Sequence, residues 1–517
     1  MLGGNPAYEF AVAAPTYDVA FEDAEVTFPG LFRNVTRRSI FRLGRSKTCD
    51  DEMQLLYDAL GEIVQTLDRL DGETIVQTPG CTGMATVLGD VAREMNFPLL
   101  LVAGGDVFRD EVRFRTVLGF GPADHSSLRD GAILMLRTYN WTTVSLLCGN
   151  LYQFAAPFDV TACSALRGGL RQLSHQFTVH SADFDPARTD TYEAMLRNVR
   201  SKSRVVILFC LLQFVSPLMK AASALNMTNG DYVFLSPQSS IFPGQLKRPW
   251  SKNDSSDDPA SLNVLQSLII YANEAPDWNR QAATVGRIVG LGASRYSTNI
   301  SLTSVNALNI AAYDGFTSLA HVLNASAHHF TSDQVPGGTL TDWLVRQFYN
   351  RTFFLNSGEL FLNSVGFRRV NVRFMRLGNS SRRDYETAWK YDVTIDNIAR
   401  QSKLADAWPS RLGPPKNEPK CGFNNDKCYQ SSGFEVLRIA IGGVAAVLLL
   451  GMAACLLWFR QLSHQGAFEQ LDTSLLLFST RWSCTMSSAR ITAQLQTNPL
   501  KRLNDDGTTL HPRTICG

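Results

Sequence analysis

Between Ile439 and Phe459 the chain runs for 21 residues without a charged side chain, in the stretch IAIGGVAAVLLLGMAACLLWF. At about 1.5 Å per residue a helix of that length is about 31 Å long, the thickness of a bilayer's hydrocarbon core. Trp458 sits at one end, where an interfacial anchor belongs. A helix buried inside a soluble core rarely runs this far without a polar residue, so the stretch is read as a membrane span. It divides the chain into a long N-terminal region and a tail of 58 residues after Phe459.

The basic residues near the span do not orient it. Lys416, Lys420, Lys427 and Arg438 lie close on one side and Arg460 on the other. Asn-x-Ser/Thr sequons carry more information. They fall at Asn34, Asn140, Asn226, Asn253, Asn299, Asn324, Asn350 and Asn379, all before the span. This asymmetry fits a glycosylated outer N-terminal region and a cytosolic tail. Such a region needs a leader to cross the membrane. The opening MLGGNPAYEFAVAAP has neither a basic start nor an apolar core, so an N-terminally incomplete chain is expected.

A net charge of +2 and the absence of a basic run interleaved with aromatics point away from a nucleic-acid partner. None of the ten cysteines forms Cys-x-x-Cys, so neither zinc-ligand spacing nor a redox motif is present and no metal is expected. Seven cysteines precede the span, where disulfides are permitted, and the odd count leaves one over.

The outer region reads as α/β. ETIVQT, PLLLVAG, TTVSLLC, QFTVHS, RVVILFC and YVFLSP are short apolar runs rich in β-branched residues. Amphipathic stretches separate most of them. In TGMATVLGDVAREM, Met84, Val87, Leu88, Val91 and Met95 recur at helical spacing, and Ile133, Leu136 and Tyr139 share a face in the next such segment. Strands alternating with helices predict parallel sheets with right-handed crossovers. The run from Glu73 to Pro237 holds too many strands for one small sheet, so two lobes are expected.

Cys81, in the turn TPGCTG, stands where α/β proteins often place chemistry. A nucleophilic cysteine needs a base. The nearest histidine is His125, in the next unit, and no acid partner is evident. A phosphate cradle needs several glycines opening a helix, whereas only Gly80 and Gly83 flank Cys81 and Thr82. A disulfide explains the residue better.

Several blocks, in order, carry a resemblance. TPGCTGMATVLGDVAREMNFPLLLVAGG resembles the Gly-Pro-Gly-Cys turn, helix and strand of the ligand-binding region of natriuretic peptide receptors and receptor guanylate cyclases. FRTVLGFGPADHSSLRDGAILMLRTYNWTTVSLL is similar to that family's crossing into its second lobe. APTYDVAFEDAEVTFPGLF resembles its first helix, NALNIAAYDGFTSLAHVLN its Tyr-Asp helix, and FYNRTFFLNSGELFLNSVGFR its Asn-Arg-Thr-Phe segment and hairpin. Together they cover roughly residues 7–400.

The resemblance implies a two-lobed, periplasmic-binding-protein type I-like α/β ectodomain, followed by one transmembrane helix and a short tail. The expected limits are 1–410 for the ligand-binding region, 411–435 for a juxtamembrane linker, 436–459 for the helix and 460–517 for a cytoplasmic tail. It also implies the disulfides Cys49–Cys81, Cys163–Cys210 and Cys421–Cys428, with Cys148 left as the buried free thiol. A chloride on backbone N–H groups at Gly80 and Cys81 is implied as well; no other cofactor is expected.

The function implied is that of a single-pass type I receptor of the plasma membrane, homodimeric, binding an extracellular peptide hormone or other small ligand. Gly442 and Ala446 form a small-xxx-small pair on the span. No cyclase is expected within this chain, because the tail has neither a Gly-rich nucleotide loop nor a paired-carboxylate metal motif, although the resemblance leaves open a full-length parent that is a guanylate cyclase. Two alternatives stay open: a metabolite- or amino-acid-sensing receptor of the same fold, and a decoy or clearance receptor.

Overall fold

The computed structural model describes residues 9–40, 49–70, 74–78, 81–102, 108, 110–152, 157–246, 263–326, 339–378, 384–410, 413–424 and 426–464. The chain divides into two units, Met1–Cys428 and Tyr429–Gly517.

The first unit holds two lobes. In lobe 1, β1 (Val76–Thr78), β2 (Leu99–Leu101) and β3 (Val117–Gly119) form a parallel sheet in that order. Helix α1 (Phe10–Thr27) belongs to this lobe, as do α2 (Cys49–Asp68) and α3 (Thr82–Met95). On α3 the buried face is Met84, Ala85, Leu88 and Ala92. It is rotated slightly from the face the large side chains predict, because Ala85 and Ala92 let the helix sit close to the sheet while Val87 and Val91 stay half-buried.

Helix α4 (His125–Thr138) opens lobe 2, with Asp124 as its N-cap accepting from the Ser127 N–H at 3.0 Å. The parallel strands β4 (Thr143–Cys148), β5 (Thr178–Asp183), β6 (Val205–Phe209) and β7 (Val233–Pro237) follow, interleaved with α5 (Pro157–Gln172), α6 (Tyr192–Arg200) and α7 (Leu212–Ala224). β8 (Leu268–Asn273) joins them in parallel. The chain then returns to lobe 1 as α8 (Trp278–Tyr296), α9 (Ala307–Ser326), α10 (Leu340–Arg346) and the hairpin β9 (Arg351–Leu355), β10 (Gly358–Leu362), which β11 (Arg368–Arg369) extends. It re-enters lobe 2 as the antiparallel strands β12 (Val372–Leu377), β13 (Tyr385–Asp392) and β14 (Asn397–Arg400).

The lobe-2 sheet therefore has eight strands in the order β14-β13-β12-β8-β7-β6-β4-β5. One face packs on α4 and α5 through Leu128, Leu136, Leu166 and Leu170, the other on α6 and α7 through Leu196, Leu218 and Met219. Burial on both faces explains why VVILF in β6 is apolar throughout rather than alternating. In lobe 1, Asp18 of α1 is buried and is held by Arg37, by Arg295 at 2.7 Å and by the Tyr296 hydroxyl at 2.7 Å. That pins the first helix against α8.

Residues expected to be a loose linker are partly built into lobe 2. Trp141 Nε1 donates to the Pro415 carbonyl at 2.8 Å, and Asn417 Oδ1 accepts from the N–H groups of Thr142 and Thr143 at 2.7 and 2.8 Å. Asn417 closes the amino end of β4 as a neighbouring strand would. Helix α11 (Asp426–His464) begins inside the stretch 411–435, earlier than its composition suggests. Within it, Leu437–Gln461 is long and apolar enough to cross a membrane, with a mean hydropathy of 2.5 and every side chain unburied. An exposed apolar helix of this kind is stable in lipid and a liability in water. Residues 465–517, most of the expected cytoplasmic tail, lie outside the described residues.

Candidate functional site

The chain passes between the lobes three times. The first crossing, residues 120–124, leaves the carboxyl end of β3 for α4. The second, 274–277, leaves the carboxyl end of β8 for α8, and the third, 370–371, joins β11 to β12. The parallel strands of both sheets therefore turn their carboxyl ends toward the crossings, the position where open α/β sheets bind ligands. In the first crossing Gly121 passes so close to β2 that a Cβ there would lie 2.4 Å from the Val102 carbonyl oxygen. Only glycine fits.

At the strand ends of lobe 2, Gly149, Cys210 and Gln238 follow β4, β6 and β7. The Gln238 amide donates to the Cys210 carbonyl at 3.2 Å and to Ser236 Oγ at 2.8 Å. Asp159, in the first turn of α5, is buried, and that desolvation pushes its carboxyl up to about 7. Burial also raises the Cys210 thiol, with the nearby Asp159 charge adding to the shift, so this cysteine is inert as a nucleophile.

The crossings are fastened by one carboxylate. Asp124 Oδ2 accepts from Arg369 Nε at 3.0 Å, from the Val370 N–H at 3.1 Å and from Ser127 Oγ. The Asp124 peptide pairs with the Asn273 side chain, its N–H donating to Oδ1 at 3.0 Å and its carbonyl accepting from Nδ2 at 3.3 Å. Asp124 ends the first passage, and Asn273 and Arg369 are the strand residues that immediately precede the second and third. Glu274 adds a tie, its N–H donating to the Asn371 carbonyl at 2.7 Å and its carboxylate accepting from Lys390 at 2.8 Å. Burial alone would lower the Arg369 guanidinium, but the Asp124 and Asp130 carboxylates outweigh it and its pKa rises.

The preceding residue points the other way, as strand alternation requires. Arg368 lies 3.5 Å from Asp314 of α9 inside lobe 1. Burial raises the Asp314 carboxyl and lowers the Arg368 guanidinium, each partly offset by the other's charge. Beside Arg369 an open cleft of about 400 Å³ runs between α4 and the β13–β14 hairpin, with Asp130, Arg137 and Tyr391 on its walls.

Of the cysteines, Cys421 and Cys428 are joined. Cys163 is joined to Cys148, not to Cys210, and Cys148 is not the free thiol. Strand alternation decides the pairing. Cys148 faces α5, which carries Cys163, and packs in the same core. Cys210 packs among Val215, Leu218 and Met219 on the opposite face. Cys81 is buried at the start of α3. The side chain of Cys49, and all of Gly80, lie outside the described residues, as do Asn253 and Asn379. The other six sequon asparagines, Asn34, Asn140, Asn226, Asn299, Asn324 and Asn350, are all exposed. The hinge residues Asp124, Asn273 and Arg369 were not singled out from sequence. Nothing local in the sequence joins Asp124 to a residue 245 positions on.

A family model described as the receptor family ligand binding region matches residues 58–375, more than half of the chain. The chain belongs to this family. The matched region runs through both lobes and all three crossings. Curated relatives agree with it. The chain is 22% identical over 427 residues to atrial natriuretic peptide receptor 2 of Homo sapiens, an alignment covering 78% of this chain and 38% of that receptor. It is 20% identical over 479 residues to atrial natriuretic peptide receptor 3 of Bos taurus, covering 89% and 84%. With guanylate cyclase 2G of Mus musculus the identity is 23% over 394 residues, covering 73% and 34%. The chain thus spans 38% of the length of the receptor 2 relatives it matches. As a member of the receptor family it has the two-lobed α/β ligand-binding region that the sequence blocks imply.

Proposed function

We propose that this chain is a single-pass cell-surface receptor whose two-lobed outer region binds an extracellular peptide. The observation that carries the reading is the family match over 58–375 followed, in the same chain, by the apolar helix at Leu437–Gln461. The N-terminal region is outside and the tail inside. The six described sequon asparagines support this orientation, since each is exposed and open to a glycosyltransferase. The plasma membrane is the site of action, and the working form is a homodimer.

We read the chain as a binding and anchoring molecule, not an enzyme: what the family match covers is a ligand-binding region. A chloride at Gly80 and Cys81 belongs to the same reading, because Cys81 precedes the first turn of α3, where backbone N–H groups have no partner within the helix.

Ligand binding shifts the two lobes about their crossings, and the span carries the shift inward. The test is to express the full chain behind a cleavable leader and treat intact cells with an N-glycosidase. A fall in apparent mass is expected. An unchanged mass in a chain that reaches the cell surface would contradict the orientation.

A further inference from the structure

We propose that Asp124 and Arg369 form a latch that sets the resting angle between the two lobes. The inference starts from connectivity. The lobes can turn on one another only by changing backbone angles within 120–124, 274–277 and 370–371. Three independent hinges would let the lobes rock freely. Here they are tied. One carboxylate takes hydrogen bonds from the third crossing's backbone, at Val370, and from the guanidinium of Arg369, the β11 residue just before it. The peptide of the same residue is paired on both edges with Asn273, where the second crossing begins. Asp124 and Asn273 are buried, so water does not replace a bond that is broken.

Arg369 completes the tie by reaching Asp130, in the second turn of α4, at 3.2 Å. Among the described residues Arg368 contacts Asp314 in lobe 1 and no lobe-2 carboxylate. The two adjacent arginines of this short strand thus differ in role: Arg368 packs within lobe 1, and Arg369 alone reaches across to lobe 2. The lobe angle cannot change much while Asp124 keeps all its partners. Movement therefore requires Arg369 to leave Asp124, and Arg369 borders the open cleft into which it can swing. The latch is a positioning device: Asp124 and Arg369 act on a ligand through the lobe angle, not by touching it.

The inference rests on the receptor reading only for its consequence on binding. Its test needs no ligand, so failure to find a ligand leaves the latch standing, and failure of the latch leaves the receptor reading standing. Fluorophores carried on noncanonical amino acids would be placed at Glu94 in lobe 1 and Glu193 in lobe 2, both well exposed. The full chain would be held in nanodiscs and interlobe energy transfer read molecule by molecule.

Asp124→Asn and Arg369→Met are expected to shift the mean distance and widen its distribution, with Arg369→Lys in between. Arg368→Met is expected to lower stability and leave the distribution in place. Should Arg369→Met fail to fold, the near-isosteric Asp124→Asn carries the test. Superimposable distributions in Asp124→Asn and the unsubstituted chain would overturn the latch. An equal shift in Arg368→Met would also overturn it, because general loosening would then explain the effect.

Discussion

The pairing of Cys148 with Cys163 makes a sharp prediction about lobe 2. The two cysteines are 15 residues apart in sequence. Closing a loop of that size restrains the unfolded chain by about 3 kcal/mol on the chain-entropy model. Replacing both by alanine should therefore lower the stability of the outer region by about 3 kcal/mol for the lost cross-link and about 2 kcal/mol more for the two buried sulfurs, and adding reductant to that double variant should bring no further loss from this pair. Cys210→Ala should behave differently. It removes a buried sulfur from the α6–α7 face and no cross-link. A loss of about 1 kcal/mol is expected, close to that of one buried methylene.

The assay is equilibrium denaturation of the three proteins with and without reductant, paired with peptide mapping under non-reducing conditions. The account expects a linked peptide pair containing Cys148 and Cys163, and a free thiol at Cys210. A pair containing Cys163 and Cys210 would refute the reasoning from strand alternation. So would a Cys210→Ala variant as destabilised as the double variant.

Two further predictions follow. Asp159→Asn should stabilise lobe 2 at alkaline pH. The folded carboxyl titrates near 7 against an ordinary value of 3.8, so burial of the charged form weakens the fold as pH rises between them. The gain over the unsubstituted chain should approach about 4 kcal/mol above pH 7 and vanish near pH 4, as melting across pH would show. Asn417→Ala strips the acceptor from the N–H groups of Thr142 and Thr143, and should cost about 2 kcal/mol while raising hydrogen exchange over 413–424.

Much of the fold was legible in sequence because the parallel strands are buried on both faces and read as unbroken apolar runs. TTVSLLC, RVVILFC and YVFLSP became β4, β6 and β7. The antiparallel strands β12 to β14 were not legible. VRFMRL and YETAWKYD mix charged and apolar residues, and their place in the sheet depends on a chain that leaves lobe 2 and returns. The cysteine pairing was missed for a related reason. Spacing along the chain does not say which face of a sheet a residue shares with a helix, and the order of strands and their alternation do. The hinge was invisible because its partners lie 149 and 245 positions apart and look, one by one, like a helix cap, a strand end and a charged pair.

The proposed peptide binding by the two-lobed outer region places the peptide at the strand ends that face the crossings. It is tested most directly by hydrogen exchange on the full chain in nanodiscs, titrated with a panel of natriuretic peptides. The account predicts saturable protection of the segments around Gly149, Cys210 and Gln238, together with altered exchange at the three crossings. Saturable binding that leaves those segments unprotected, or no saturable binding by any peptide in the panel, would contradict it.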